Sequence, residues 1–189
     1  EGKVDDELKL YQAHVTYYNS SNPLVSIIIP SKDNFNVYKR CVDTLHRLTK
    51  YSNYEVIHVD NGSNKENKRK YEELDKQYHH IYHYEQMEFN FSKMCNTGAK
   101  NAKGKLLLFL NDDIEIFKKD WLDILVGQAS LDYVGAVGAK LYYPNSTIIQ
   151  HCGIINIQQG PVHMFGGCDD KNIYYFGRNR LDFNVIAVT

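Results

Sequence analysis

The sequence predicts an α/β protein whose mostly parallel sheet carries helices on both faces. Three observations lead there. Short apolar runs rich in β-branched residues alternate with longer segments of helical period, in the order β-α-β-α-β-α-β. The apolar runs are nearly continuous, as strands covered on both faces must be. Turn-forming and polar residues cluster directly after those runs.

The elements follow in order. "LVSIIIP" (Leu24–Pro30) reads as the first strand, introduced by Pro23 and stopped by Pro30. "FNVYKRCVDTLHRLT" (Phe35–Thr49) places Val37, Cys41, Leu45 and Leu48 at helical spacing behind a candidate N-cap, Asn34. "YEVIHVD" (Tyr54–Asp60) is a second strand that "NGS" turns. "KENKRKYEELDKQY" (Lys65–Tyr78) is a charged, solvated helix with internal ion pairs. A short strand, "IYHYE", a helix over Asn90–Ala102 and a stop at Gly104 precede "KLLLFLN". A further helix spans Lys118–Ser130. Beyond it the pattern changes to strand and loop: "VGAVGAKLYY", "STIIQHCGIINI" and a glycine-rich stretch through Gly167.

Composition excludes several classes. A chain of 189 residues with a net charge of −1 suits a single domain with a sizeable core. It lacks the basic face of a nucleic-acid binder. No apolar run is long enough to span a bilayer, and "EGKVDDELKL" has no signal-peptide core. The four cysteines form no CxxC pair and read as free thiols in a reducing cytosol. A cytoplasmic setting is expected, or a peripheral one on the inner face of the membrane in a longer protein.

In open parallel sheets, ligands bind beyond the carboxyl ends of the strands. Three such ends carry polar residues: Pro30, Ser31, Lys32 and Asp33; Asp60, Asn61, Gly62 and Ser63; Asn111, Asp112 and Asp113. Their convergence gives an acidic, oxygen-rich site suited to a hard divalent cation, Mn²⁺ or Mg²⁺. Mg²⁺ is usually held by one or two carboxylates together with substrate phosphates, so a metal-bearing diphosphate is the expected ligand. An isolated "NDD" would more often be a solvated turn; the two converging strand ends shift the balance toward function. In an extended segment Asp112 and Asp113 point opposite ways, one to a sugar hydroxyl and the other to the metal.

"VSIIIPSKDN", "YEVIHVDNGS", "NTGAKNAKGKLLLFLNDDIEI" and "WLDILV" together resemble the nucleotide-binding half of family-two glycosyltransferases, inverting enzymes of the GT-A fold. The resemblance runs strongly from Pro23 to about Ala139 and more loosely from Leu141 to Thr189. It implies a GT-A domain over 23–189, truncated at its C-terminus, behind a linker or N-terminal extension at 1–22. It further implies a nucleoside-diphosphate sugar donor and a saccharide or other hydroxyl acceptor. By that match "NDD" is the DxD-type motif. Asp113 is the metal ligand beneath the diphosphate, and Asp112 contacts the ribose or sugar. Pro30, Ser31 and Asp33 line the nucleoside, Asp60 holds base or ribose, and Asn96 matches the asparagine of the helix before the DxD strand. His163, in "QQGPVHMFGG", matches the loop over the sugar.

Two positions depart from the family pattern. Asn61 stands where many members have a second aspartate, and an amide can donate or accept, which leaves the base open. Lys32 stands where many have tyrosine and could reach phosphate. The family's acidic general base lies downstream of the metal motif, and no matching acidic pair occurs before Thr189; "CDDKN" comes too early. The chain therefore reads as part of a longer protein. The implied chemistry is one in-line displacement at the anomeric carbon.

Other motifs fall away. "GAKNAKGK" has the wrong glycine spacing for a phosphate loop and precedes a strand. His151, Cys152, His163 and Cys168 fit no standard zinc spacing. Phe89, Phe91 and Met94 read as core. A nucleotidyltransferase would carry a glycine-rich loop after the first strand, which "PSKDNFN" lacks. A noncatalytic sugar-nucleotide-binding module is the reading from another class.

Overall fold

The computed structural model describes residues 15–188, so the first fourteen residues of the expected N-terminal extension lie outside the described residues. The chain divides into two compact units, residues 19–123 and residues 124–188 with 15–18.

The first unit is a parallel sheet of four strands in the order β3-β2-β1-β4. They are β1 (Val25–Ser31), β2 (Tyr54–Asp60), β3 (Ile81–Tyr84) and β4 (Leu106–Phe109). Helices α1 (Phe35–Leu48), α2 (Lys65–Tyr78) and α3 (Phe91–Asn101) connect them, and α4 (Trp121–Ala129) follows. Side chains alternate across a strand, so β2 sends Ile57 and Val59 to one face and His58 to the other. On the first face Ile28, Ile57 and Val59 pack with Met94 of α3. On the other, His58 stacks on Tyr38 of α1 at 4.0 Å and meets Tyr71 of α2 edge-on at 4.8 Å. Helices therefore cover both faces, as the continuous apolar strands require.

Close packing of α3 on the sheet depends on glycine. A Cβ at Gly98 would enter the Ile28 side chain, and one at Gly104 would lie 2.6 Å from the Ser26 backbone nitrogen. Helix α2 is capped by Asn64, whose side chain accepts from the Glu66 and Asn67 N–H groups, both at 3.0 Å.

β1 does not stop at Pro30 but runs through it to Ser31. The alternation explains why. The Ile28 carbonyl accepts from Leu110 on the β4 side, and the Ser31 carbonyl accepts from Asn61 on the β2 side. Pro30 thus faces the β4 side, where pairing has already ended at Ile28–Phe109. Its missing N–H removes no ladder bond. β4 is also less buried than its sequence implies, since Leu107 and Phe109 are exposed. α4 begins later than Lys118 because the Lys119 carbonyl is taken by the Lys50 N–H.

In the second unit, β5 (Leu141–Tyr142) pairs antiparallel with β6 (Ile149–His151). β7 (Ile154–Ile157) pairs antiparallel with β8 (Gly160–His163). Within the stretch read as strand and loop, "VGAVGAKLYY" supplies only the two residues of β5, and the glycine-rich stretch supplies β8. Asp170 organises this unit: it accepts from Lys140 Nζ at 2.7 Å, Tyr142 OH at 2.6 Å and Asn179 Nδ2 at 2.8 Å.

Candidate functional site

The carboxyl ends of β1, β2 and β4 reach one edge of the parallel sheet, because Ser31 registers with Asp60 and Leu110 follows β4 beside Ile28. There a cleft of about 370 Å³ opens, lined by Pro30, Ser31, Lys32, Asn34, Phe89, Phe91, Met94, Asn111, Asp112 and Asp113.

Asn111–Ile114 forms a turn closed by the Ile114 N–H on the Asn111 carbonyl at 3.3 Å. The segment is not extended, and both carboxylates consequently line the same cleft, where opposite directions were expected. Helix α1 fixes the turn. The Cys41 thiol donates to the Asn111 carbonyl at 3.8 Å, and Thr44 Oγ1 accepts from the Ile116 N–H at 3.0 Å. Burial, reinforced by the charges of Asp112, Asp113 and Glu115, pushes the Cys41 thiol up to about 12, so it stays protonated.

Like charges raise each other's pKa. Burial first, and then the charge of Asp113, push Asp112 up to about 6. Among the described residues neither carboxylate forms an ion pair with a lysine or arginine, and no group of three or more His, Cys, Asp or Glu could cage a metal. This donor set fits a cation held by one or two carboxylates with ligand phosphates completing the shell, and does not fit an all-protein cage.

Of the residues singled out from sequence, Pro30, Ser31, Lys32, Asp112 and Asp113 meet in the cleft. The others sit elsewhere. Asp33, at φ +49°, turns back to α2, where its Oδ1 accepts from the Asn64 N–H at 2.9 Å and from Asn64 Nδ2 at 2.6 Å. Those bonds, with one from Asn67, hold its carboxyl below the ordinary value. Asp60 is fully buried: Oδ1 accepts from the Ser63 N–H at 2.9 Å and Oδ2 from Tyr82 OH at 2.6 Å. Asn61 is fully buried too, and both its amide oxygen and nitrogen lack a partner. Asn96 is exposed on α3 and is not among the lining residues. His163 belongs to the second unit, on β8, where its Nδ1 lies 2.8 Å from His151 Nδ1.

Sequence reasoning missed the aromatic wall. Phe89 and Phe91, read as core, are exposed and line the cleft, while Met94 beside them is buried. It also missed the buried polar chain behind Ser31. His58 Nε2 lies 2.7 Å from Ser31 Oγ, and His58 Nδ1 lies 2.5 Å from Asp75 Oδ2. Tyr38 OH at 2.5 Å and His80 Nδ1 at 2.8 Å meet Asp75 Oδ1. Burial pushes Asp75 up, but the bonds from His58, His80 and Tyr38 outweigh it and hold the carboxyl at about 2. The available signal was one imidazole inside the apolar run "VIHV" of the second strand.

A parallel sheet with helices on both faces and an acidic turn after the fourth strand fits the GT-A class of α/β fold. Consistent with this, the chain is similar in fold to the mannosyltransferase PcManGT of Pyrobaculum calidifontis, solved in complex with GDP-Man and Mn²⁺. The TM-score is 0.62 at 18% identity, covering 71% of this chain and 41% of that one. Residues 26–167 match the model of glycosyl transferase family 2, and the chain belongs to that family. It is 39% identical over 144 residues to the O-antigen biosynthesis protein RfbC of Myxococcus xanthus, covering 76% of this chain. It is 37% identical over 173 residues to the uncharacterized protein y4gI of Sinorhizobium fredii, covering 88% of this chain. The chain spans 11% of the length of the first and 19% of the second.

Proposed function

We propose that this chain is the donor-binding part of an inverting glycosyltransferase that acts in polysaccharide assembly. It binds a nucleoside-diphosphate sugar in the strand-end cleft with a divalent cation. The observation that carries this reading is the pair of carboxylates, Asp112 and Asp113, facing one cleft without a basic partner among the described residues. Family membership and the likeness to RfbC support the reaction class.

Asp113, the more exposed of the two, would hold the metal, with Asp112 beside it reaching ribose or sugar. Mn²⁺ or Mg²⁺ bound there supplies charge stabilisation to the departing diphosphate. Lys32, exposed on the same cleft, adds a mobile positive charge for phosphate. Phe89 and Phe91 offer ring faces to a flat base, and Ser31 a hydroxyl at its edge. In the full reaction the acceptor hydroxyl gives its proton to a general base, and its oxygen attacks the anomeric carbon on the face opposite the diphosphate. The bond to the diphosphate breaks as the new one forms, so a single displacement inverts that centre.

The test is calorimetry of nucleoside diphosphate binding with Mn²⁺, with Mg²⁺ and with chelator. Tighter binding with metal, lost in Asp113→Ala, is expected. Equal affinity with and without metal overturns the assignment.

A further inference from the structure

Two turns of the second unit hold bulky aromatic residues in backbone that such residues rarely adopt. Phe165 sits at φ +55° in the turn that the Gly166 N–H closes on the His163 carbonyl at 3.3 Å. Tyr175 (φ +44°) and Phe176 (φ +57°) fill both central positions of a second turn, closed by the Gly177 N–H on the Tyr174 carbonyl at 3.0 Å. Left-handed positions like these ordinarily take Gly, Asn or Asp, because Cβ crowds the following carbonyl oxygen there. Burial does not repay that strain, since Tyr175 is 71% exposed and Phe176 77%. The second turn is nevertheless firmly held: buried Asn179 accepts from the Tyr174 N–H at 2.9 Å and donates to Asp170 at 2.8 Å. Strained side chains over-determined by their surroundings cluster at ligand contacts.

Phe165 and Tyr175 line one groove of about 360 Å³, a size usual for small-ligand sites, together with Ile155, Val162, His163 and Met164. Ile155 and Val162 are cross-strand partners on β7 and β8. Besides the Tyr175 hydroxyl, the polar group of this lining is the His163 imidazole, and its hydrogen has a fixed place. The Gly153 N–H donates to Nε2 of buried His151 at 3.1 Å. Burial and the neighbouring His163 hold the pKa of His151 below its ordinary value, so its single proton sits on Nδ1. From there it donates to His163 Nδ1 across 2.8 Å. An imidazole that accepts at Nδ1 carries its own hydrogen on Nε2. Exposed His163, with Nδ1 taken, therefore has an N–H donor to offer a ligand.

None of the six lining residues is a Lys, Arg, Asp or Glu, so the groove has nothing to neutralise a phosphate. A purely apolar chain would strip water from the His163 N–H and leave it without a partner. A pyranose ring meets both conditions. Its C–H face lies against aromatic rings, and its hydroxyl and ring oxygens accept from an N–H.

We propose that this groove is a saccharide-binding subsite, in which Tyr175 and Phe165 meet the C–H face of a pyranose ring and His163 Nε2–H donates to one of its oxygens. This rests on the reading of the chain as part of a glycosyltransferase of polysaccharide assembly, whose acceptor or growing product is the saccharide held. The groove is built by the second unit alone, and the nucleotide takes no part in it.

The test is NMR titration of the whole chain with the methyl glycosides of glucose, galactose, mannose and N-acetylglucosamine, and with maltotriose and chitotriose. The apolar probe is n-hexanol, and UDP with Mn²⁺ is titrated in parallel. The variants are Tyr175→Asn, His163→Leu and His163→Gln, all at exposed positions. At least one saccharide should bind saturably. Its affinity should fall at least about tenfold in Tyr175→Asn and His163→Leu, the scale of one aromatic contact or one hydrogen bond. His163→Gln keeps an N–H donor and should lose less. Asparagine suits the left-handed position, so Tyr175→Asn should melt no lower than the wild type while binding is lost, which a merely structural tyrosine would not do. The ¹⁵N shifts of the wild type should show His163 protonated at Nε2 and unprotonated at Nδ1.

Tighter binding of the trisaccharides than of the methyl glycosides supports a growing chain in the groove, and equal binding a single terminal ring; both sustain the subsite. Absence of saccharide binding, binding of n-hexanol in place of every saccharide, affinity untouched by Tyr175→Asn and His163→Leu, or a His163 proton on Nδ1 overturns it. If UDP with Mn²⁺ binds while no saccharide does, only this subsite falls. If UDP fails as well, the donor-binding reading falls with it.

Discussion

Asn61 keeps a fully buried amide that nothing in the described residues satisfies, at a cost on the order of 1–3 kcal/mol for each unmade bond. Asn61 does not line the cleft, so the cost falls on the fold alone. Asn61→Leu, close in size, should therefore leave the protein as stable or more stable in urea. A urea midpoint below that of the wild type would refute that reading. Asp75 shows the opposite economy, since every bond it makes is internal. Asp75→Ala strands the Tyr38 hydroxyl and two imidazoles in the core. It should lower unfolding free energy by roughly 3 kcal/mol or more, read from the urea midpoint.

At the scale of elements, the packing of α3 on β1 is the most demanding contact. Gly98→Ala drives a methyl into Ile28 and should cost about 1–3 kcal/mol, measured by thermal melting. Asn64→Ala removes the α2 cap and should cost about 1 kcal/mol by the same assay. These elements also show what the sequence can and cannot say. β2 and α2 have the bounds read from sequence, because a β-branched run and a charged helix are each closed by local turn and cap chemistry. The end of β1 was misread because a proline's cost depends on which neighbour it faces, and pairing partners are not written locally. β8 was missed for a related reason. Its hairpin turns on Gln158 and Gln159, which carry none of the usual signal of Asn-Gly or Asp-Gly. Asp112, Asp113, Ser31 and Lys32 were legible as cleft residues because they directly follow or end strands. Phe89 and Phe91 were not, since a short aromatic pair before a helix cap looks the same whether it faces core or solvent.

Across the molecule, acid should act on the 19–123 unit in two stages. Burial and the neighbouring His80 push His46 down to about 4 from 6.5. The unfolded chain therefore binds that proton first, and stability falls as pH drops from 6.5 toward 4, by an amount softened by the partial exposure of His46. Asp75, held at about 2 against 3.8, contributes stability that is full above 3.8 and lost as pH falls toward 2. Urea midpoints measured across this range should be level above about pH 7 and decline in both windows; a midpoint that rises on acidification from pH 7 to 4 would contradict the buried neutral histidine. The place of β4 has a consequence in time. Its pairing with β1 joins the segments most distant in sequence within that sheet, and it alone brings in the turn that carries Asp112 and Asp113. Distant pairings pay their loop-closure entropy before any contact repays it. The cleft thus does not exist until the sheet has its fourth strand. In refolding experiments, metal-dependent nucleotide capture should lag the return of helical circular dichroism, and ligand present from the start should slow unfolding without hastening collapse.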